Sequence, residues 1–276
     1  MSDPTTPTPL VPHEGWHVMH LFYQVDHAQW ALFSDEEKRH AKTHLTELVQ
    51  EIRATADTQL LSFSIATPKA DLGFMLLTPD LHVANAFEKQ LSLSLGPEIL
   101  SPVYSYLSQT ESSEYTPTRE QYIAETLVEE KCLTAGTPEF DAALVEFETR
   151  MAHYRKYRLY PTLPDWPVVC FYPMSKRRSG SDNWYALDFE ARRTLMAGHA
   201  RVGRTYSGRI LQLISGSTGL DEYEWGVTLL AKDTSDVKAI VYEMRFDEVS
   251  ARYADFGDFY IGMQLPLDLL FRRLCL

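Results

Sequence analysis

Cysteine is scarce in this 276-residue chain, and its three copies, Cys132, Cys170 and Cys275, lie far apart. Their spacing matches no metal site, and their odd number suits a reducing compartment in which structural disulfides do not form. The N-terminus has neither the basic start nor the apolar core of a signal peptide, and no hydrophobic run has the length of a membrane span. The sequence therefore predicts a cytoplasmic protein without a transmembrane segment.

Basic residues are also few relative to acidic ones: the chain has 26 Lys and Arg, 38 Asp and Glu, and a formal net charge of −12. This balance argues against binding to nucleic acid or to an anionic membrane. The stretch from Arg150 to Arg209 nevertheless holds 12 of the 26 basic residues. A local cationic segment favours an anionic small ligand, although a solvated helix face gives the same composition.

Two common kinds of site are absent from the sequence. Gly198, Gly203 and Gly208 make no dinucleotide-binding fingerprint, because no strand precedes them in the required order. No second His, Cys or carboxylate stands at zinc-ligand spacing from His199. The chain is long enough to bury a substantial core in one large domain or two.

Proline content and hydrophobic periodicity divide the chain into four segments. They are a Pro/Thr-rich disordered tail (1–14), an N-terminal half (15–110), a helical connecting segment (111–166) and a C-terminal half (167–276). In the connecting segment, Thr116-Pro117 and Thr137-Pro138 both look like a helix N-cap followed by proline at the first helical position.

Both halves show the same order of strand, helix, strand, strand, helix and strand. In the N-terminal half we expect strands at 16–25, 60–65, 72–77 and 102–110 and helices at 34–53 and 81–93. In the C-terminal half we expect strands at 168–174, 209–215, 224–231 and 256–263, and helices at 187–206 and from about 235. The repeated order predicts an α+β protein with two ferredoxin-like halves.

The chain between residues 167 and 217 carries the candidate site. It runs from an apolar strand through the basic turn Ser175–Gly180 and a helix to a second apolar strand. We expect this order to bring four side chains within reach of one another: Tyr172, Lys176, His199 and Gln212.

His199 lies on the apolar face of its helix, with Leu195 and Met196 one turn before it and Val202 and Tyr206 after it. A lone histidine on such a face is most often a satisfied core residue. The alternative is an axial ligand for a buried metal cofactor, because neutral imidazole is the commonest ligand of this kind.

The neighbouring polar residues also have two interpretations each. Gln212 shares a strand face with Ile210 and Ile214, so its amide is either hydrogen-bonded by the backbone or facing a ligand. Tyr172 packs in a core by default, and Lys176 by default lies in a solvated turn.

If the basic turn covers a pocket, Lys176 and its arginine neighbours become donors for carboxylates or phosphates. Arg245 and Ser250 likewise form either a second anion clamp or the start of a surface helix.

Several longer runs carry a family resemblance. They are GWHVMHLFYQVD (15–26), KADLGFMLLTPDL (69–81), YSYLS (104–108), FYPMSKRR (171–178), NWYAL (183–187), RTLMAGHARVGRTYSG (193–208), QLISGSTGLDEYEWGV (212–227) and VYEMRFDEVSARYADFG (241–257). Together they resemble the chlorite dismutase-like superfamily and, within it, the coproheme decarboxylases of Gram-positive-type haem synthesis. The resemblance covers nearly the whole chain and is weakest over 111–148, from which no site residue is carried over.

The resemblance implies a dimeric α+β barrel subunit built from two ferredoxin-like halves, usually assembled as a homopentamer. Iron-coproporphyrin III (coproheme) is the implied substrate in the C-terminal half, haem b the product and hydrogen peroxide the oxidant. Transient contact with the coproporphyrin ferrochelatase is implied as well.

The resemblance also assigns roles to individual residues. His199 is the implied axial ligand of the iron, Gln212 the amide on the opposite side, Tyr172 the radical-forming tyrosine and Lys176 the lysine that assists the second decarboxylation. The implied substrate-binding residues are Arg158, Tyr172, Pro173, Met174, Ser175, Lys176, Trp184, Gln212, Arg245 and Ser250.

The expected activity is the peroxide-dependent decarboxylation of two coproheme propionates, the last step of coproporphyrin-dependent haem synthesis. Two alternatives stay open: a haem peroxidase or chlorite-degrading enzyme, and a haem-binding protein without turnover. The chlorite-degrading branch carries an arginine where this chain has Gln212, and an uncharged amide would hold chlorite poorly. A carrier needs neither Tyr172 nor Lys176.

Overall fold

The computed structural model describes residues 7–276, which form two compact units. The first unit contains the chain up to Thr110 and again from Leu163 to Leu276, and the second is Glu111–Thr162. Leu163 is held in the first unit because its N–H donates to the side-chain oxygen of Gln59 (2.9 Å). The compact unit that corresponds to the expected connecting segment (111–166) therefore ends at Thr162, four residues earlier than predicted.

Part of the predicted tail (1–14) is bound to the fold. The Leu10 N–H donates to the carboxylate of Asp80 (3.0 Å), and the Leu10 carbonyl accepts from the N–H of Leu81 (3.0 Å). Residues 1–6 of this tail lie outside the described residues, so for them disorder stays a prediction.

The N-terminal half has the predicted order of elements with one added short helix. Its elements are β1 (His17–Val25), α1 (His27–Leu32), α2 (Asp35–Ala54), β2 (Gln59–Ile65), β3 (Leu72–Thr78), α3 (Leu81–Leu93) and β4 (Leu100–Thr110). At the start of α2, Ser34 and Glu37 form the predicted capping box, in which the Ser34 N–H donates to the Glu37 carboxylate (2.7 Å). The unpredicted α1 begins after Asp26, whose carboxylate accepts from the Gln29 N–H (2.9 Å).

The second unit is helical. It contains α4 (Arg119–Gln121), which continues as a π-helix (Tyr122–Glu130), and α5 (Pro138–Leu159). Thr137 caps α5 with Pro138 at the first helical position, as predicted. The predicted cap at Thr116 is wrong, because Thr118 and Gln121 satisfy each other's backbone N–H groups and begin the helix two residues later.

The C-terminal half repeats the order of the N-terminal half. Its elements are β5 (Val168–Lys176), a short 3₁₀-helix (Trp184–Ala186), α6 (Phe189–Arg204), β6 (Ile210–Gly216), β7 (Trp225–Ala231), α7 (Thr234–Met244), α8 (Glu248–Tyr253), β8 (Ala254–Phe256), β9 (Tyr260–Gln264) and α9 (Leu267–Arg273). The predicted strand 256–263 is wrong, because the chain breaks into β8 and β9 at Gly257. The Gly257 N–H donates to the Pro173 carbonyl (2.8 Å), and a side chain there would overlap the Pro173 ring.

Eight of the strands close into an antiparallel barrel in the order β1, β3, β2, β9, β5, β7, β6, β4 and back to β1, with β8 added beside β5. Each half contributes four neighbouring strands in ferredoxin-like order. Two short seams join the halves: Phe63–Ile65 pairs with Gly262–Gln264, and Gln109–Thr110 with Ser215–Gly216. The predicted α+β fold with two ferredoxin-like halves is therefore confirmed.

Alternation along the strands separates an aromatic lumen from two outer faces. In the lumen, His20 of β1 stacks on Phe171 of β5 with ring centroids 4.0 Å apart, and its Nε2 lies 2.8 Å from the Thr228 hydroxyl of β7. Burial lowers the pKa of His20 to about 3, so this imidazole is neutral. Outside the barrel, α2, α3 and α9 cover the N-terminal half, and α6 and α7 cover the C-terminal half.

The Phe63 ring fills the space of two missing side chains in the lumen. Gly73 on β3 and Gly262 on β9 flank β2, and a Cβ built on either glycine would overlap this ring. Both glycines are therefore required by close packing.

Gly73→Ala should lower the free energy of unfolding by about 1–3 kcal/mol, because the buried Phe63 ring must leave its position. Gly198→Ala is the matched control, since a Cβ on that helical glycine meets nothing within 4 Å. The control should raise stability by about 0.5–1 kcal/mol. Urea unfolding of both variants measures the difference, and a neutral Gly73→Ala would show that the lumen repacks freely.

Candidate functional site

The outer face of the C-terminal half is covered less completely than that of the N-terminal half. On the N-terminal half, α2 buries Ala41, Leu45, Leu48, Val49 and Ile52. On the C-terminal half, α6 is described over its whole length and buries Gly203 alone, while Leu195, Met196 and Val202 stay half-buried. Apolar side chains that a helix leaves partly open beside a sheet can line a ligand site.

Strand β5 brings three predicted site residues to this outer face. Tyr172, Met174 and Lys176 alternate along it, and Tyr172 joins the core between the sheet and the helices. Pro173 and Ser175 point to the opposite face, so their predicted contact with a ligand would have to come from the backbone.

Tyr172 is a buried phenol without a hydrogen-bond partner among the described residues. Its ring stacks on Phe259 (centroids 4.3 Å apart) and lies near Phe256 (5.7 Å). Burial raises the pKa of Tyr172 above its ordinary value, the neighbouring Cys170 raises it further, and Arg245 opposes both effects. The hydroxyl therefore keeps its proton at any working pH.

Lys176 is 8% exposed, and its ammonium lies 4.8 Å from the ring centroid of Trp184. Burial lowers the pKa of Lys176 to about 8, against the opposing charges of Asp247 and Glu224. A lysine tuned in this way can both hold and release a proton near neutral pH. Its default interpretation as a solvated turn residue is wrong.

His199 is fixed by a carboxylate. Its Nδ1 lies 2.7 Å from Oδ2 of Asp247. Burial alone would raise the pKa of Asp247, but hydrogen bonds from His199 and from the N–H groups of Val249 and Ser250 lower it below its usual range. Because an ionised carboxylate only accepts hydrogen bonds, His199 Nδ1 carries a proton, and in the neutral imidazole the lone pair then lies on Nε2.

This arrangement fits an axial ligand to a porphyrin iron. A ligating histidine usually donates its other ring N–H to a carboxylate or carbonyl, as His199 does to Asp247. Its side chain is 27% exposed beside the half-buried apolar residues of α6. Among residues 7–276 no group of three or more His, Cys, Asp or Glu side chains could hold a bare metal ion.

Gln212 lies two strands away from Tyr172, across β7, and is in register with Cys170, so the Cα atoms of Gln212 and Tyr172 are about 12 Å apart. Its side-chain N–H donates to the carbonyl of Gly203 on α6 (3.0 Å). The amide is therefore satisfied by backbone, the first of its two predicted interpretations. A ligand between β6 and α6 would have to replace this bond.

The remaining predicted site residues differ in their surroundings. Trp184 is buried edge-on against Tyr253. Arg245 is exposed, with its guanidinium 4.4 Å from the Phe256 centroid. The Ser250 hydroxyl lies 3.2 Å from Oδ2 of Asp247 and supports that carboxylate. Asp247 caps α8, so the interpretation of this segment as a helix start is confirmed.

Arg158 lies near the end of α5 in the second unit, and its Nε is buried without a hydrogen-bond partner in the described part of the chain. Its predicted contact with a propionate stays a prediction.

The cationic stretch is partly neutralised by acids from elsewhere in the sequence. Arg177 pairs with Asp255 (3.0 Å), and Arg209 pairs with Asp236 (2.8 Å). These two pairs lower the net positive charge of the stretch.

Comparison with known proteins identifies the family and the fold. The chlorite dismutase family model matches residues 38–265. A haem-binding protein from Thermus thermophilus is 37% identical over 98% of this chain and 100% of that chain, with a TM-score of 0.79. The chain belongs to the chlorite dismutase family. A double-mutant chlorite dismutase from Candidatus Nitrospira defluvii, 19% identical over 96% of this chain and 98% of that chain, shares the fold with a TM-score of 0.70.

The same enzyme in complex with imidazole gives a TM-score of 0.68 at 19% identity, over 96% of this chain and 97% of that chain. In the part of the chain that the structure describes, no helix has the length and apolar character needed to cross a bilayer.

Sequence reasoning missed Asp247 and Glu224. Asp247 stands before a short helix, so a capping role could be predicted, but its bond to His199 spans 48 residues and has no local signal. Glu224 precedes β7 and accepts from the backbone of Lys176 at the same sequence separation. Both contacts depend on the closure of the sheet.

Asp247→Ala should release the His199 ring from its fixed tautomer. In the ligand-free wild type we expect neutral His199 to carry its proton on Nδ1, because Asp247 accepts it. Nitrogen NMR of histidine-labelled protein distinguishes the two ring nitrogens, with His199→Ala identifying the signal. Glu248→Ala is the matched control, since that neighbouring carboxylate is exposed and pairs with Arg252. A wild-type ring protonated on Nε2 would contradict the assignment.

The substitution Lys176→Met tests whether the ammonium is buried, through its effect on the free energy of unfolding at different pH values. The folded protein releases this proton at about pH 8, whereas the unfolded chain holds it to about 10.5. Between these values the unfolded state binds more protons, so wild-type stability relative to Lys176→Met should rise with pH, by at most about 3 kcal/mol. Below about pH 8 the difference should stay constant. Urea unfolding of both proteins across this pH range measures the difference in their free energies of unfolding. A difference that does not change with pH would contradict the burial of the ammonium.

Proposed function

We propose that the protein is a peroxide-dependent coproheme decarboxylase that makes haem b. The observation that carries this proposal is the placement of three groups on one outer face: His199 with a free Nε2, the unpartnered phenol of Tyr172, and Lys176 with its pKa near 8. The 37% identity to a haem-binding protein supports porphyrin binding by this chain, and the family includes haem-dependent enzymes.

The reaction consumes protons as well as peroxide. Each propionate loses carbon dioxide and one hydrogen from its β-carbon and becomes a vinyl group, which is a two-electron oxidation. Hydrogen peroxide takes up the two electrons and becomes two molecules of water. Per propionate carboxylate, one peroxide and one proton are consumed, so two turnovers need two of each.

Coproheme binds through its iron to Nε2 of His199, and the bound iron supplies the reduction of peroxide. Asp247 holds the imidazole in the tautomer that leaves Nε2 free. The apolar residues of α6 pack against the porphyrin face, and Arg245 is placed to meet a propionate at the rim.

Tyr172 transfers the hydrogen atom. Its phenol gives up one electron and one proton to the oxidant, and the oxygen then takes a hydrogen atom from the propionate β-carbon. The carbon radical that remains gives up the second electron to the same oxidant as the bond to the carboxylate breaks, so that carbon dioxide leaves and the vinyl double bond forms. The ring of Phe259 stacks on this phenol and the ring of Phe256 lies 5.7 Å from it, so both shield it from water. Burial keeps the proton on Tyr172 at rest, so the phenol has to lose a proton as well as an electron when it is oxidised.

Lys176 supplies the proton that the overall reaction consumes in the second decarboxylation. It follows Tyr172 by four residues on the same strand face, and it is charged at neutral pH while able to give up its proton.

The alternatives fit the site less well. Gln212 offers an uncharged amide, already bonded to Gly203, where a chlorite-degrading enzyme needs a cation. A carrier has no use for a buried phenol beside a buried lysine. Homopentameric assembly, a cytoplasmic location and contact with the ferrochelatase belong to the same proposal and rest on the resemblance alone.

The variant Tyr172→Phe distinguishes the proposed enzyme from a haem-binding protein without turnover. The variant keeps the ring that packs on Phe259 and every contact of His199, so it should fold and bind ferric coproporphyrin III like the wild type. It should nevertheless lose no carboxyl groups when peroxide is added, whereas the wild type should lose two. Mass spectrometry of the porphyrin after stepwise addition of peroxide counts them.

Tyr104→Phe is the matched control, because Tyr104 is also a tyrosine with a buried, unpartnered hydroxyl and a raised pKa, but it faces the lumen. It should keep full activity. Haem b formation by Tyr172→Phe would make Tyr172 a packing residue. A wild type that binds coproheme without losing carboxyl groups would favour the carrier.

A further inference from the structure

Glu224 is a buried carboxylate to which neither the family resemblance nor the proposed reaction assigns a role. It stands directly before β7 and is 5% exposed. Burying a carboxylate costs free energy unless it accepts hydrogen bonds and its charge is balanced by nearby groups. The groups around Glu224 do both.

Hydrogen bonds tie Glu224 to the end of β5. Its Oε2 accepts from the backbone N–H of Lys176 (2.8 Å), and its own N–H donates to the Met174 carbonyl (3.1 Å) and towards the Ser175 hydroxyl (3.2 Å). The Glu224 carbonyl accepts from the Ser217 N–H (2.7 Å), which closes the loop between β6 and β7. One residue thus fixes the position of three consecutive residues of the candidate site.

The charge of Glu224 also acts on the Lys176 ammonium. Two carboxylates favour the charged lysine: Asp247 from the start of α8, and Glu224 from the start of β7. Neither forms a direct ion pair with it among the described residues, where the ammonium instead lies over Trp184. The exposed Arg178 lies 3.9 Å from Glu224 and competes only weakly through solvent. Asp247 has the larger effect on Lys176 but is hydrogen-bonded to His199, whereas Glu224 is hydrogen-bonded to the backbone of Lys176 itself.

We propose that Glu224 is a positioning residue for proton delivery in the second decarboxylation: it anchors the β5 end and supplies a buried negative charge that, together with Asp247, favours protonated Lys176. This inference rests on the proposed function. It adds a residue, outside β5 and α6, that controls the second step selectively. The first decarboxylation depends on Tyr172 and should not need this charge.

The first test uses ligand-free protein and does not depend on activity. Glu224→Gln keeps the shape and an oxygen that can accept from the Lys176 N–H, but removes the charge. Carbon NMR of lysine labelled next to its amine should give a wild-type titration midpoint of about 8 for Lys176, lowered in Glu224→Gln by about one pH unit. Lys176→Met identifies the signal. Glu222→Gln, an exposed carboxylate two residues away, should leave the midpoint unchanged.

Glu224→Asp retains the charge and should keep the midpoint closer to that of the wild type than Glu224→Gln does. A midpoint lowered in Glu224→Asp but not in Glu224→Gln would show that only the shape of Glu224 matters and would overturn the charge role. An unchanged midpoint in Glu224→Gln would overturn it as well.

The second test follows both decarboxylations by mass spectrometry across pH. In Glu224→Gln the three-propionate intermediate should accumulate, and the alkaline limb of the second step should move down by about one pH unit, with the first step unchanged. Equal slowing of both steps at all pH values would reduce Glu224 to a structural residue. If the wild type performs neither step, the proposed function fails, while the NMR titration still decides whether Glu224 sets the protonation of Lys176.

Discussion

Side-chain alternation in a closed barrel is the constraint on which the candidate site depends. Each β5 side chain must face either the lumen or the covering helices, because both sides of the strand are occupied. Phe171 fills the lumen beside His20, so Tyr172 has to face α6 and α7, and Lys176 follows it four residues later. A register shift of one residue would exchange the two sets and place the phenol and the ammonium in the aromatic lumen.

The two ferredoxin-like halves share one architecture but differ in how completely a helix covers the outer face of the sheet. The outer face of the first half is closed by α2 with five buried side chains, whereas the equivalent α6 leaves its apolar residues half open. In the C-terminal half, part of the packing that would stabilise a helix is missing, and the proposed ligand site lies there. Two polar contacts hold α6 in place, from His199 to Asp247 and from Gln212 to the Gly203 carbonyl.

Local patterns in the sequence predicted most of the fold. The capping box at Ser34, the cap at Thr137 and the predicted helix 81–93 all depend on neighbours within a turn, and the structure has them as predicted. The break at Gly257 was missed, because residues 256–263 alternate like one strand and the crossing of β5 that interrupts them is distant in sequence. The predicted site residues on β5, α6 and β6 came from strand and helix periodicity together with the family resemblance. Asp247 and Glu224 act through contacts 48 residues away, which no local pattern encodes.

The two ferredoxin-like halves of the barrel depend on each other, although only two short seams of strand pairing join them. Only Phe63–Ile65 with Gly262–Gln264, and Gln109–Thr110 with Ser215–Gly216, join the halves through backbone pairs among the strands that the structure describes. The halves also meet in the shared lumen, which includes the bond between His20 and Thr228, and through α9, which packs on the outer face of the N-terminal half. A half separated from its sister would expose two unpaired strand edges and a sheet face of aromatic rings, which is the surface that drives aggregation. Joined in one polypeptide, each half covers these edges and this face of the other.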